Sequence, residues 1–173
     1  MAKPWPLTAL LAALSTQTGA GSQPPAASAP VHDARTLPVP ALGSKLELSD
    51  KEWSERLTPT QYRVLRQKGT ELAFTGKDWD NHAAGVYHCA GCNAPLFSSA
   101  TKFDSGTGWP SFYQPIAKGR VEEHSDKGFF GVRTEIVCAT CGGHLGHVFD
   151  DGPGASGQRW CINSAALDFE ERE

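Results

Sequence analysis

Four of the five cysteines in this chain fall into two Cys-x-x-Cys pairs, and no other feature constrains the fold as strongly. The pairs are Cys89 with Cys92 and Cys138 with Cys141, and they lie far apart in the sequence. Each such turn presents two sulfurs at the spacing that tetrahedral zinc takes, so two turns complete a closed four-thiolate shell. The sequence therefore predicts one structural zinc ion that cross-links two distant hairpins of one domain.

Two disulfides or two redox-active Cys-x-x-Cys turns are the alternative to zinc, and an exported protein would favour them. A redox-active pair usually opens a helix after a strand. Neither pair here is followed by a helical pattern, which favours the metal.

The fifth cysteine, Cys161, has no partner of this kind and lies in the stretch RWCINS. The thiolate is the reactive form of cysteine, and a cation such as Arg159 stabilises it. Cys161 is therefore a candidate nucleophile. The alternative is a buried free cysteine that packs as a small apolar side chain.

Two histidines, His144 and His147, follow the second pair. In a regular strand their rings would point to opposite faces, but the glycines Gly142, Gly143 and Gly146 indicate a bent path that could bring both rings into one pocket. Imidazole titrates near neutral pH, so the pair is suited to acid–base chemistry. A second metal site is the alternative, although the sequence offers no further ligand at a suitable spacing.

Trp109 lies on a predicted turn in the stretch GWPSF, which ends at Phe112. A tryptophan in such a place is more often part of the core. It would also make a good wall for an apolar ligand with one polar group, because aromatic faces attract sulfur and its methyl groups.

The remainder of the sequence predicts a mainly β domain. Capping boxes at Ser49–Glu52 and Thr58–Gln61 predict two short helices that brace the core. From Gly85 onward, short apolar runs separated by turn signals predict antiparallel strands, including a hairpin of 121–124 with 129–137 and a turn at 125–128. The high content of glycine (18) and proline (12) fits this reading.

Residues 1–29 have the outline of a cleaved secretory signal, with Lys3, an apolar run from Leu7 to Leu14 and small residues before Ala20 and Ala29. We therefore expect an exported protein, periplasmic or secreted. An uncleaved membrane anchor and an organelle transit peptide are the alternatives.

Residues 30–48 are rich in proline and alanine and predict a flexible linker, so the domain is expected to cover residues 49–173. No apolar run is long enough to span a bilayer, so we expect no stable membrane insertion after signal cleavage. The net charge of −3 gives no sign of nucleic-acid binding.

Together these motifs resemble the methionine-R-sulfoxide reductase B family. The resemblance rests on the first Cys-x-x-Cys pair, on KFDSGTGWPSF (102–112), on CATCGGHLGHVFDDGP (138–153) and on RWCINSAAL (159–167), in the family's order. It covers about residues 49 to 170.

By position, Cys161 resembles the family's catalytic nucleophile, and the four paired cysteines match its zinc ligands. Trp109 is similar to the aromatic residue that receives the methyl group of the sulfoxide, with Phe112 beside it as a second substrate-binding residue. The polar residues that match those around substrate and thiol are His144, His147, Asp151, Arg159 and Asn163.

The resemblance implies two antiparallel β-sheets with short N-terminal helices, cross-linked by the zinc site. It implies a peptide-methionine (R)-S-oxide reductase, an oxidoreductase that repairs oxidised proteins. Cys161 would attack the sulfoxide sulfur while His144 or His147, through water, protonates the oxygen. Methionine then leaves, and Cys161 becomes a sulfenic acid.

One position departs from the pattern, because many family members carry a resolving cysteine where this chain has Thr107. We therefore expect a one-cysteine cycle, in which a thioredoxin-like protein or a small thiol reduces the sulfenic acid directly. We also expect a monomer. The competing hypotheses are a zinc-containing binding module without catalysis and a Cys-x-x-Cys thiol oxidoreductase.

Overall fold

The computed structural model describes residues 33–128 and 131–172, so the predicted signal lies outside the described residues. Two short helices come first, α1 (Asp50–Arg56) and α2 (Pro59–Leu65). Each begins at its predicted capping box: the Ser49 hydroxyl accepts from the backbone N–H of Glu52, whose carboxylate accepts from the backbone N–H of Ser49. Thr58 and Gln61 form the same pair of bonds, so both predictions are confirmed.

Nine short strands follow the helices in the described chain. They are β1 (Gly85–Cys89), β2 (Pro95–Ser98), β3 (Lys102–Phe103), β4 (Ser111–Phe112), β5 (Val121–Gly128), β6 (Gly131–Cys138), β7 (His144–Phe149), β8 (Arg159–Ile162) and β9 (Leu167–Glu171). They form a three-stranded sheet in the order β2-β1-β9 and a six-stranded sheet in the order β3-β4-β8-β7-β6-β5. All neighbouring strands are antiparallel, which confirms the predicted fold class.

Aromatic side chains from both sheets meet in the core. Phe97 on β2 stacks on Phe112 on β4 with ring centroids 4.5 Å apart, and Tyr87 on β1 meets Phe112 edge-on at 5.2 Å. The helices close one side of this core by burying Trp53, Val64 and Leu65. Side chains from both sheets and from the helices therefore form one core.

The hairpin of β5 and β6 differs from its prediction. The turn predicted at 125–128 is wrong, because β5 continues to Gly128, which pairs with Gly131. Before Thr134, the residues of β6 pair with β5 alone, and pairing with β7 begins at Thr134. Side chains on such a projecting ribbon are mostly exposed, so its sequence lacks the apolar alternation that reveals a half-buried strand.

The segment 33–48, which falls within the predicted linker, runs along the surface of the domain. The backbone N–H of Leu46 donates to the carbonyl of Thr140 at 2.8 Å, and the ammonium of Lys45 donates to the carbonyl of Ala139 at 2.7 Å. The described part of this segment therefore lies against the second Cys-x-x-Cys turn. In the described chain, neither helix is long and apolar enough to cross a membrane.

Candidate active site

Three neighbouring strands of the larger sheet set Ser111, Cys161 and His147 side by side. Cys161 on β8 pairs with Ser111 on β4 and with His147 on β7. His147 in turn pairs with Glu135 on β6. Residues directly opposite each other in antiparallel strands project to the same face, so the register alone places a thiol, a hydroxyl, an imidazole and a carboxylate in one row.

Phe112, predicted to bind substrate, lies in the core and not in this row. It is 0% exposed and stacks on Phe97. The reason is strand alternation, since Ser111 faces the row and its neighbour Phe112 must face the other side.

A β-bulge brings the two histidines together. Ile136 pairs with Gly146, but the next residue, Val137, pairs with His144, so β7 carries one extra residue here. The rings of His144 and His147 consequently lie on the same face, with centroids 5.5 Å apart. Gly146 is required at this point, because a Cβ there would come within 2.0 Å of the carbonyl oxygen of Cys161.

The two histidines differ in burial and in their partners. His144 is 3% exposed, and its Nδ1 lies 2.8 Å from a carboxylate oxygen of Glu135. Burial lowers the pKa of His144, and the Glu135 carboxylate acts in the opposite direction. The Nε2 of His144 is buried and has no hydrogen-bond partner within the described residues.

His147 is more accessible, and its Nε2 lies 3.0 Å from the carboxylate of Asp126. Arg133 binds the same carboxylate oxygen at 2.8 Å. Hydrogen bonds from His147 and Arg133 hold the pKa of Asp126 below its ordinary value. The carboxylate of Asp126 therefore stays ionised beside the ring of His147.

The surroundings of Cys161 act on the pKa of its thiol in opposite directions. Burial raises its pKa, whereas the charge of Arg159 and hydrogen bonds from Thr107 and Ser111 lower it, and burial dominates. The Thr107 hydroxyl lies 4.0 Å from the sulfur, and Ser105 joins the hydroxyls of Thr107 and Ser111 at 2.8 and 2.7 Å. At neutral pH the free thiol therefore keeps its proton.

Arg159 is fixed beside Cys161 by two contacts. Its guanidinium donates to both carboxylate oxygens of Asp151, at 2.8 and 2.9 Å, and lies 4.5 Å from the centre of the Phe149 ring. Such a two-pronged pair fixes the orientation of the guanidinium plane. Asp151 thus acts on Cys161 through Arg159.

Cys161 opens into a small pocket of about 150 Å³. Its walls are Thr70, Trp109, Arg133, Gly146, His147, Phe149, Cys161, Ile162 and Asn163. The pocket therefore unites a thiol, an imidazole and two aromatic faces, a combination suited to a small apolar group that carries one reactive polar atom.

Glu71, which the sequence did not single out, supports two walls of this pocket. Its carbonyl accepts from the indole N–H of Trp109 at 3.2 Å, and its backbone N–H donates to the side-chain oxygen of Asn163 at 3.0 Å. Its carboxylate accepts from the backbone N–H groups of Ser164 and Ala165. All these contacts span long sequence separations, so no local pattern indicates them.

Asp126 and Glu135, the partners of the two histidines, were also missed. The only available signal was the pairing of β5 with β6 and of β6 with β7. The misplaced turn removed Asp126 from its strand, and the bulge hid the proximity of Glu135 to His144.

The four paired cysteines form a separate cluster. They are all buried, and their sulfurs lie within 4.8 Å of one another, with Cys89 to Cys141 at 3.7 Å and Cys92 to Cys138 at 3.6 Å. A zinc–sulfur bond of about 2.3 Å gives a tetrahedron with sulfur–sulfur edges of roughly 3.8 Å. The cluster is therefore a potential metal site that fits a tetrahedral thiolate shell.

Both Cys-x-x-Cys turns close in the same way. Asn93 and Gly142 each follow the second cysteine and adopt a positive φ, of 60° and 67°. Their backbone N–H groups donate to the carbonyls of Cys89 and Cys138, at 2.9 and 2.8 Å. This shared geometry points both sulfurs of each turn to one side.

The fold and the pocket define a mainly β domain with a cysteine thiol in a small pocket and a potential four-cysteine metal site. A family model described as the SelR domain matches residues 57–171. Peptide methionine sulfoxide reductase MsrB of Leptospira interrogans is 58% identical over 71% of this chain and 94% of that protein. The protein of the same name from Methanosarcina mazei is 55% identical, over 75% and 93%.

Peptide methionine sulfoxide reductase B1, chloroplastic, of Arabidopsis thaliana is 56% identical over 73% of this chain and 62% of that protein. The chain belongs to the SelR domain family, the methionine-R-sulfoxide reductase B family of oxidoreductases.

Proposed function

We propose that the chain is a peptide-methionine (R)-S-oxide reductase in which Cys161 is the nucleophile. The observation that carries this proposal is the strand register, which places Cys161 between Ser111 and His147 beside the pocket wall Trp109. The names of the relatives support the substrate, peptide-bound methionine sulfoxide.

The pocket accounts for recognition of the sulfoxide. The methyl group packs on Trp109, since aromatic faces attract methyl groups on sulfur. The sulfur then faces Cys161, and the oxygen faces His147. Because sulfoxide sulfur is chiral, fixing methyl, oxygen and chain in three directions admits one epimer, and the family resemblance indicates the R epimer.

The chemistry needs one thiol and one proton donor. Cys161 attacks the substrate sulfur and gives up its thiol proton, and the imidazole of His147, hydrogen-bonded to Asp126, relays a proton to the sulfoxide oxygen, so no proton is gained or lost overall. The oxygen passes to the sulfur of Cys161 as its bond to the methionine sulfur breaks. The products are methionine and a sulfenic acid, so two electrons have moved from Cys161 to the substrate.

His144 and Arg159 position these two groups. His144, tied to Glu135, supports the ring of His147 from the buried side. Arg159 stabilises the thiolate as it forms, and Asp151 holds the guanidinium in place. Asn163 lines the pocket and ties its wall to Glu71.

Zinc would be held by Cys89, Cys92, Cys138 and Cys141. Four protein ligands leave no open coordination position, so the ion would cross-link the two Cys-x-x-Cys turns and take no part in the reaction.

The sulfenic acid requires an external thiol. A first thiol displaces water from Cys161 and forms a mixed disulfide, and a second thiol releases Cys161 and a disulfide. A thioredoxin-like protein or a small thiol would fill this role. Thr107, 4.0 Å from the Cys161 sulfur, stands where a resolving cysteine would act.

The variant Thr107→Cys tests this cycle. After one turnover without reductant, the variant is expected to carry an internal disulfide between residues 107 and 161, whereas the parent protein carries a free sulfenic acid. Mass spectrometry with a sulfenic-acid trap separates the two. An internal disulfide at Cys161 in the parent protein would contradict the one-cysteine cycle.

The central experiment measures reduction of the separate R and S epimers of a methionine sulfoxide peptide, with dithiothreitol as reductant. We expect turnover of the R epimer alone and its loss in Cys161→Ser, whose hydroxyl cannot take up the oxygen as a sulfenic acid. Absence of turnover with folded, zinc-loaded protein would favour a binding module instead.

We further propose that residues 1–29 direct export, so that the substrates are oxidised proteins of the periplasm or the exterior. A signal that is retained, or a protein found in the cytoplasm, would contradict this.

A further inference from the structure

Two large apolar side chains are exposed on the loop whose backbone holds the Trp109 wall of the pocket, although neither lines the pocket itself. Leu72 is 77% exposed and Phe74 is 55% exposed. Both flank residues that hold the pocket wall: the carbonyl of Glu71 accepts from the indole of Trp109, and the backbone N–H of Phe74 donates to the carbonyl of Gly108 at 2.8 Å. We call this pair, Leu72 and Phe74, the apolar shelf.

The shelf is held in its exposed position. Phe74 has φ of 65°, a conformation that bulky residues rarely adopt and that the surrounding structure must enforce. Its ring meets Trp79 edge-on at 5.3 Å. On the other side, the carboxylate of Glu71 is bound by the backbone of Ser164 and Ala165. The loop therefore cannot turn these side chains inward without losing several contacts.

The pocket is too small for more than one side chain. Its volume of about 150 Å³ suits a single methionine sulfoxide, so the substrate backbone and its neighbouring residues must lie on the rim. Successive residues of an extended chain are about 3.3 Å apart, so side chains one or two positions away stay close to the pocket mouth. Substrate side chains that lie on the Trp109 side of the pocket mouth are therefore within reach of the apolar shelf.

We propose that the apolar shelf binds apolar side chains that flank the sulfoxide in an extended, unfolded segment of a protein substrate. This inference rests on the function proposed above and narrows its substrate class. Methionine is usually buried in folded proteins, and segments that form a core are rich in apolar neighbours. Such segments become accessible when oxidation or stress unfolds the protein, and the shelf selects them.

The test compares three substrates with an R sulfoxide: blocked methionine sulfoxide, a peptide with leucine on both sides of it, and a peptide of equal length and charge with serine in those positions. We expect kcat/KM for the leucine-flanked peptide to exceed that of the serine-flanked one by about tenfold, as partial burial of one leucine allows.

Leu72→Ser is expected to reduce this ratio to about twofold, since it removes the larger exposed part of the shelf. Leu42→Ser is the matched control. Leu42 is 59% exposed and lies on the segment that precedes α1, so this variant should keep the ratio of the parent protein.

Equal turnover of the two peptides by the parent protein would contradict the proposed role of the shelf and leave the proposed function intact. Failure to reduce any of the three substrates would refute the proposed function and the shelf with it. A Leu72→Ser variant that lowers all three turnovers by one factor would also overturn the shelf, because Leu72 would then serve only the stability of the site.

Discussion

The five cysteines lie in two regions that surround the thiol group with different neighbours. In the cluster of Cys89, Cys92, Cys138 and Cys141, every sulfur is buried and has another sulfur nearby. In the pocket, Cys161 has hydroxyls, a guanidinium and open space as its neighbours. Cysteine chemistry in this protein is therefore decided by the groups around each thiol.

The two regions also differ in what fixes them. The cluster is built from two local turns, each closed by its own backbone hydrogen bond. The pocket is assembled from β4, β7 and β8 and from the loop that contains Glu71, which are distant in sequence. A change in the cluster should therefore affect the whole domain, whereas a change in the pocket should affect the reaction.

Loss of a cluster ligand should give the largest effect. We expect Cys138→Ser, or removal of the metal by a chelator, to lower the free energy of unfolding by roughly 5 kcal/mol or more, because binding energy of a structural zinc is folding energy. Urea denaturation measures the free energy of unfolding. Cys161→Ser is the control, because it makes the same cysteine-to-serine change outside the cluster. The comparison fails if both variants lose the same stability.

Loss of the proposed proton donor should come next. We expect His147→Gln to reduce kcat/KM by about 10²–10³-fold, in the lower part of the range that general acid catalysis usually contributes, with little change in stability. His82→Gln, at an exposed position on the surface, is the matched control. A larger loss of kcat/KM in His144→Gln than in His147→Gln would contradict this assignment and indicate that His144 is the proton donor.

Loss of the cation beside the thiol should have the smallest effect. The charge of Arg159 lowers the pKa of Cys161 against the effect of burial. Arg159→Gln should therefore raise this pKa further and move the alkaline rise in alkylation rate to higher pH. A shift of one unit reduces the thiolate fraction at neutral pH about tenfold.

Alkylation of zinc-loaded protein by iodoacetamide across pH measures this shift at Cys161. Arg172→Gln serves as control, since Arg172 lies at the exposed end of the chain beyond β9. An unchanged profile in Arg159→Gln would show that burial and the hydroxyls alone set the reactivity of the thiol.

The sequence predicted best what local patterns encode. The cysteine turns and both capping boxes depend on residues within a few positions of one another, and they were found. Apolar runs between turn signals revealed several strands of the two sheets, but the stretch GWPSF was predicted as a turn and contains the buried strand β4. Where the β5–β6 ribbon leaves the sheet, both faces are exposed and the alternation of apolar and polar residues is lost. The turn was therefore misplaced.

The geometry of the site depends on long-range pairing, which a single sequence does not display. Glu71 reaches Trp109 and Asn163 through its backbone, so no side-chain pattern could reveal it. Phe112 was placed beside the substrate because its motif was treated as a unit. Strand alternation divides that motif, sending Ser111 to the site and Phe112 to the core.

The bulge in β7 has a consequence for protein design. An ideal strand lets only residues at even spacing share a face, and the extra residue of the bulge changes that parity. His144 and His147 are three positions apart and become neighbours for this reason. A designer who grafted the same side chains at the same spacing onto a regular strand would send one imidazole into the core, so the irregularity, with Gly146 beside β8, must be transplanted together with the residues it serves.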